Sequence, residues 1–175
     1  MLRFESSLHN LSLMSLRIGY PVGSTTDPII NPHNLTILGF FVLAQDVPPP
    51  AVILSQSIRE ASGRRLIIDS EDEIMPAGDL IRDKEIVELN YQLIGKKVIT
   101  ESKRTLGKVE DYVANDKGFV IYKVHVAPTG MRSITNSKLI IDRTQIVATD
   151  DKFIVVKDGF EKSAAPATSL AVTAG

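Results

Sequence analysis

The 175-residue chain contains no cysteine. That single absence excludes a disulfide framework, thiolate metal ligands and a cysteine nucleophile. Tryptophan is also missing, and with six Phe and four Tyr the chain has few of the large rings favoured at interface hot spots and base-stacking platforms. Long apolar runs are lacking too. The longest, Ile37 to Ala44, falls well short of the roughly 18–20 residues a membrane-spanning helix needs. Residues 1–19 are broken by Arg3, Glu5, His9, Asn10 and Arg17, so they hold no continuous apolar segment of a secretory signal. Nor is there an excess of one charge: 20 basic against 21 acidic residues leave a net −1, and any attraction to nucleic acid or anionic lipid must be local. These absences lead to the expectation of a cytoplasmic protein without membrane insertion.

What remains is the composition of a folding domain, 43% hydrophobic and 23% charged. The apolar residues come in bursts of strand length: Ile37–Leu43, Ala51–Leu54, Leu66–Ile68, Ile86–Leu89, Phe119–Val126, Leu139–Ile141 and Phe153–Val156. Turn residues separate them, among them Pro48-Pro-Pro50, Pro76-Ala-Gly78 and Asn115-Asp-Lys-Gly118. The pattern predicts an all-β sandwich or barrel. In Phe119–Val126, strict alternation would put Val120, Tyr122, Val124 and Val126 in the core, opposite Phe119, Ile121, Lys123 and His125. The sequons Asn10-Leu-Ser and Asn34-Leu-Thr are short motifs that recur by chance.

The chain also resembles itself. Leu16-Arg-Ile-Gly19 aligns with Leu93-Ile-Gly95, Leu38-Gly39 with Leu106-Gly107, and Leu66-Ile-Ile-Asp69 with the identical Leu139-Ile-Ile-Asp142. The order is preserved, with offsets between 68 and 76 residues. The expected organisation is an extension over 1–13, dispensable if Met14 is an alternative start, then domains over 14–88 and 89–160 and a flexible tail over 161–175. Gly19, Gly39, Gly95 and Gly107 are expected where backbones bend or approach closely. Asp69 and Asp142 are expected as strand-end residues bonding to backbone amides.

The motif Leu93-Ile-Gly-Lys-Lys-Val98, then Leu106-Gly-Lys-Val-Glu-Asp-Tyr-Val113, Phe119–Val124, Lys138–Asp142 and Phe153–Val156 resembles a PRC-barrel domain. The family takes its name from the photosynthetic reaction centre H subunit and recurs as the C-terminal domain of a ribosome maturation factor. The resemblance covers residues 89–160 and, more loosely, 14–88, where Leu38-Gly-Phe-Phe-Val replaces Leu-Gly-Lys-Val and Pro48-Pro-Pro50 replaces a turn. It implies two tandem small β-barrels with a pseudo-twofold repeat, and a bacterial or archaeal docking module.

The residues offer little chemistry. His9, His33 and His125 show no paired ligand spacing. Phosphate-binding glycine loops and the G-x-S-x-G elbow are absent, and no Ser or Thr has a convincing base, so no catalytic, cofactor-binding or metal residue is nominated. Charge is distributed unevenly, however. Residues 69–88 carry eight acids and two bases, without the glycine and alternation of a Ca²⁺ loop. Residues 91–108 carry Lys96, Lys97, Lys103, Arg104 and Lys108 against Glu101 alone. These five form the candidate partner-binding patch. The reading is a non-catalytic adaptor that docks a protein, with RNA contact in ribosome assembly or RNA processing as the alternative. The basic patch meeting the acidic stretch, within the chain or between subunits of a homo-oligomer, is a further possibility.

Overall fold

A computed structural model describes residues 1–129 and 139–159 of the chain. The tail expected over 161–175 lies outside them. The fold is all-β apart from one short helix and several single 3₁₀ turns. In chain order the strands are β1 (Leu2–Phe4), β2 (Ser12–Ser15), β3 (Pro21–Asn31), β4 (Thr36–Ala44), β5 (Ala51–Leu54), β6 (Ile58–Ser62), β7 (Arg65–Ile68) and β8 (Met75–Pro76). Helix α1 (Lys84–Leu89) then leads to β9 (Lys97–Thr100), β10 (Thr105–Asn115), β11 (Ile121–Pro128), β12 (Leu139–Asp142), β13 (Ile146–Thr149) and β14 (Phe153–Val156). No helix among the described residues is long and apolar enough to cross a membrane.

Two sheets share one strand order. The first runs β6-β7-β2-β3-β4-β5-β8 and the second β13-β14-β9-β10-β11-β12, with β1 added beside β10. In each, one ladder is parallel, β2 with β7 and β9 with β14, and the other ladders are antiparallel. Each sheet must curl. Five interstrand spacings would set β5 and β6 about 24 Å apart in a flat sheet, yet only four Cα steps of about 3.8 Å connect Leu54 to Ile58. The same holds from Asp142 to Ile146. The curl stops short of the expected closed barrels, because β5–β6 and β12–β13 form no ladder. A 3₁₀ turn, Ser55–Ser57 or Arg143–Gln145, lies between the strands of each pair, which therefore meet at a corner without running alongside each other.

The equivalent positions differ from those the sequence alignment gives. Leu13 beside Leu66 corresponds to Val98 beside Ile154, and the buried Ser15 corresponds to the buried Thr100. The offsets are 84 to 88 residues. The counterpart of Gly107 is Gly23, each opposite the central residue of its neighbouring strand. A Cβ at Gly107 would stand 2.0 Å from the Ala127 carbonyl oxygen, and one at Gly23 would stand 2.5 Å from that of Leu43. A Cβ at Gly39 would likewise stand 2.3 Å from the Ile53 carbonyl oxygen, but its counterpart is Lys123. Gly95, at φ +82°, corresponds to Asn10 at φ +53°; their amides donate to Val109 and Thr25 carbonyls respectively. Gly19, at φ +74°, matches Lys103 at φ +64°, each amide closing a turn on the residue that ends its strand, Ser15 or Thr100. The identical Leu-Ile-Ile-Asp segments occupy different places, since β7 corresponds to β14 and β12 corresponds to β5.

The shift moves the start of the first half into the presumed extension. Leu8, Leu11 and Leu13 are buried, Ser12 and Leu13 belong to a central strand, and β1 pairs with β10 of the second sheet. The halves exchange their leading segments. β1 and Glu5 lie against β10 of the second sheet, whereas α1, which precedes β9, places Val87 in one apolar cluster with Ile29 and Val52 of the first. Arg3 is only 7% exposed and donates from Nη1 to the Gly63 carbonyl at 2.7 Å, tying β1 back to the first sheet.

Both sheets contribute to one core. At its centre the β3–β4 and β10–β11 turns meet: Ile37 N–H donates to the Phe119 carbonyl at 2.7 Å and Ile121 N–H to the Leu35 carbonyl at 2.9 Å. The Phe40 and Phe119 rings stand edge to face at 5.7 Å beside this bridge. In β11 the alternation differs from expectation, because a register shift between Val113 and Ala114 turns Ile121 inward with Val124 and Val126 and leaves Tyr122 exposed.

Three expectations follow. Removing residues 1–13 deletes part of β2 and two further core leucines, so the truncated chain should lose cooperative urea unfolding by circular dichroism; a wild-type midpoint would contradict this placement. Gly107→Ala should cost about 1–3 kcal/mol in the same assay, through enforced backbone displacement. His9 supplies a pH dependence. Burial alone would lower its pKa, but Nε2 meets Glu5 Oε1 at 2.5 Å, Nδ1 meets the Thr26 carbonyl at 2.6 Å, and Asp27 is near, so the net shift is upward. A raised folded pKa gives stability present below the unfolded value of about 6.5 and lost as pH rises through the folded value. The urea midpoint should therefore fall over that window in the wild type, and His9→Gln should remove that part of the slope.

Candidate partner-docking surface

The five basic residues singled out in the sequence do not act as one group. Lys96 is engaged in structure: its Nζ lies 4.4 Å from the Tyr91 ring centroid and donates to the Asp151 carbonyl. Burial pushes the Tyr91 phenol up to about 12, with Asp150 and Asp151 adding to the shift. Lys103 is exposed in the β9–β10 turn, in left-handed conformation. Arg104 follows it, its amide bonded to Thr100 Oγ1, and its charge helps hold Asp158 low after the hydrogen bonds from Ser102 and Thr100. Lys97 and Lys108 are brought together. They are direct cross-strand partners on β9 and β10, both exposed, an arrangement that costs the fold something and concentrates positive potential on the outer face.

The first acids of the acidic stretch are paired where they stand. Arg17 pairs with Glu71 and Asp72, and Arg59 meets Asp69 at 2.7 Å. Arg17, with Ser15 and a backbone amide, holds the Glu71 carboxyl down at about 2. Among the described residues, Lys96, Lys97, Lys103 and Lys108 form no ion pair with the acids of 69–88. No cluster of metal-ligating side chains occurs among the described residues. Asp142 caps the turn after β12, accepting from the Thr144 amide at 3.0 Å, which lowers its pKa. Asp69 spends its carboxylate on Arg59 and its carbonyl on the Arg17 amide.

The more telling surface comes from comparing the outer faces of the two sheets. On the first, Ile29, Leu38, Phe41, Val52 and Leu54 form a second apolar cluster, covered by Met75, Ala77, Leu80, Ile86 and Val87. Their counterparts on the second sheet are Val113, Tyr122, His125, Ile140 and Asp142. Here the cover is missing among the described residues. Val52 is 0% exposed but Ile140 is 47% exposed, and Tyr122 is 43% exposed. From the exchanged strand β1, Phe4 sets its ring edge-to-face on His125 at 5.7 Å, itself half exposed. Lys123 lies between these rings and the Asp142 end of β12, and Lys97 and Lys108 lie farther along the same face. The surface thus joins an aromatic and aliphatic patch to a basic flank.

Composition and strand length hide this patch. Phe4 falls in the presumed extension, and alternation places Tyr122 in the core. An alignment of the halves at 84 residues, pairing Ile37 with Ile121 and Phe40 with Val124, would have exposed the contrast between Leu38 and Tyr122. No protein-family model and no curated protein matches the chain.

Proposed function

We propose that this protein is a non-catalytic docking module, of PRC-barrel type by the resemblance of its second half, which engages a protein partner through the outer face of its second sheet. One observation carries the reading. Equivalent outer faces are treated oppositely, the first being sealed by the chain's own segment 75–89 while the second leaves Phe4, Tyr122 and Ile140 exposed beside Lys97 and Lys108. Rings and aliphatic side chains surrounded by polar groups are the anchors of protein interfaces. The sealing segment also indicates the chemistry of a partner. Residues 75–89 combine Met75, Leu80, Ile86 and Val87 with four acids and two bases, so an apolar segment with acidic flanks suits a face with a basic border.

The test is affinity capture by the full chain with and without nuclease, using Tyr122→Asp/Ile140→Asp and Lys97→Glu/Lys108→Glu. All four positions are exposed, so circular dichroism should be unchanged. A protein recovered after nuclease treatment, weakened tenfold or more by the apolar pair and less, in a salt-dependent way, by the charge pair, is the expected result. Capture that depends on RNA, falls steeply with salt and responds only to the charge pair would replace this reading with the RNA-associated one.

A further inference from the structure

The outer face of the second sheet calls for an apolar partner with acidic flanks, and the first half of the chain carries such a surface itself. The loop 16–20, the 3₁₀ turn Glu71–Glu73 and the end of β4 enclose an open cavity of about 430 Å³. Ile18, Val22, Val47 and Ile74 supply its apolar wall. Its acidic side is formed by Asp46, Glu71 and Asp72. The cavity continues as a groove between the start of β3 and the end of β4, past Ser24 and Leu43. Leu43 is 59% exposed, and Tyr20, beside the lining residue Pro21, is 70% exposed. Large apolar side chains gathered around a cavity and bordered by charge mark a surface for interaction.

Charge decides what fits there. Glu71 and Asp72 share Arg17, and Asp46 forms no ion pair among the described residues, so three carboxylates stand against one guanidinium. The outer face of the second sheet has the opposite balance. Tyr122 and Ile140 are exposed on it, with Lys97 and Lys108 side by side and without an ion pair among the described residues. Two grooves, or two such faces, brought together would set like charges against each other, which disfavours a twofold dimer through either surface. Groove against face joins opposite charges and apolar to apolar. A contact of that kind is heterologous, and each copy that joins leaves a free groove at one end and a free face at the other.

We propose that a second copy of this chain is the partner, docking head to tail so that Tyr122 and Ile140 of one copy enter the groove at Leu43 of the next, with Lys97 and Lys108 facing Asp46 and Asp72 of that copy. The use of the second-sheet face rests on the docking reading above, whereas the groove and its charge stand apart from it. The assembly grows as an open chain or closes as a ring, and added salt weakens it by screening its charged border.

The test is sedimentation of the full chain against concentration, carried to roughly 1 mM so that weak contacts are populated. The wild-type mass should rise past that of a dimer. Leu43→Lys/Asp46→Lys disables the groove and Tyr122→Asp/Ile140→Asp the face; these positions are exposed, and unchanged circular dichroism checks that each variant folds. Each variant alone should need at least about tenfold higher concentration to associate. Mixed in equal amounts, the two should form a heterodimer that grows no further, because one intact groove and one intact face remain between them. A wild-type chain that stays monomeric, an assembly that stops at a dimer, or a mixture no larger than its parts would each overturn the proposal. If the chain stays monomeric yet captures a different protein through Tyr122 and Ile140, self-docking fails and the docking face stands. Assembly indifferent to Tyr122→Asp/Ile140→Asp would overturn both.

Discussion

The pair of hydrogen bonds between Leu35–Ile37 and Phe119–Ile121 is the constraint on which the rest of the structure depends. Each half donates one amide and accepts one, at positions 84 residues apart, so the contact is a small antiparallel bridge with a local twofold relation. To make it, Leu35 and Phe119 both adopt φ of +50°, a conformation that costs an L-residue roughly 1–2 kcal/mol. Both side chains are buried in return, and burial of a large apolar side chain stabilises by about 1.5–3 kcal/mol. The strain is therefore offset only while the two turns remain together. This explains why the two sheets share one core, and why each half can send its leading segment to the other.

That dependence also accounts for what could be read from the chain. The β character and the twofold organisation both rest on local patterns. The alignment of the halves does not, because short buried strands draw from the same few β-branched residues. Leu66-Ile-Ile-Asp69 and Leu139-Ile-Ile-Asp142 are identical, yet one is a central strand paired in parallel and the other, among the described residues, an edge strand. The residues that do correspond look unlike: Ser15 and Thr100, Asn10 and Gly95, Gly23 within Pro21-Val-Gly and Gly107 within Leu106-Gly-Lys. Their likeness lies in a buried hydroxyl, a left-handed turn and a carbonyl with no space for a Cβ, and each becomes visible only when the partner strand is in place.

Charge gives the same lesson in reverse. The acidic run of 69–88 and the basic run of 91–108 suggest complementary patches, but Arg17 and Arg59, both from outside the acidic run, pair with its Asp69, Glu71 and Asp72. Lys96 is likewise absorbed by Tyr91 and a loop carbonyl. What remains on the outer face is a closer pair, Lys97 and Lys108, joined by Lys123, which stands in the place of Gly39 in the other half. A run of charge in the sequence therefore indicates where to look, while strand register decides which charges share a surface.

A duplicated fold with one shared core is well suited to such divergence. The outer-face clusters lie outside that core, so the side chains of Tyr122 and Ile140 can face water without opening the bridge that holds the halves together. Exposure there costs the burial of two side chains, a few kcal/mol by the usual area relation, without leaving a buried polar group unpaired or a cavity in the interior. The same loss at Phe40 or Phe119 would act on the central contact itself. The fold thus separates the residues that maintain it from those free to change, and the contrast between its two outer faces is where a function distinct from stability can reside.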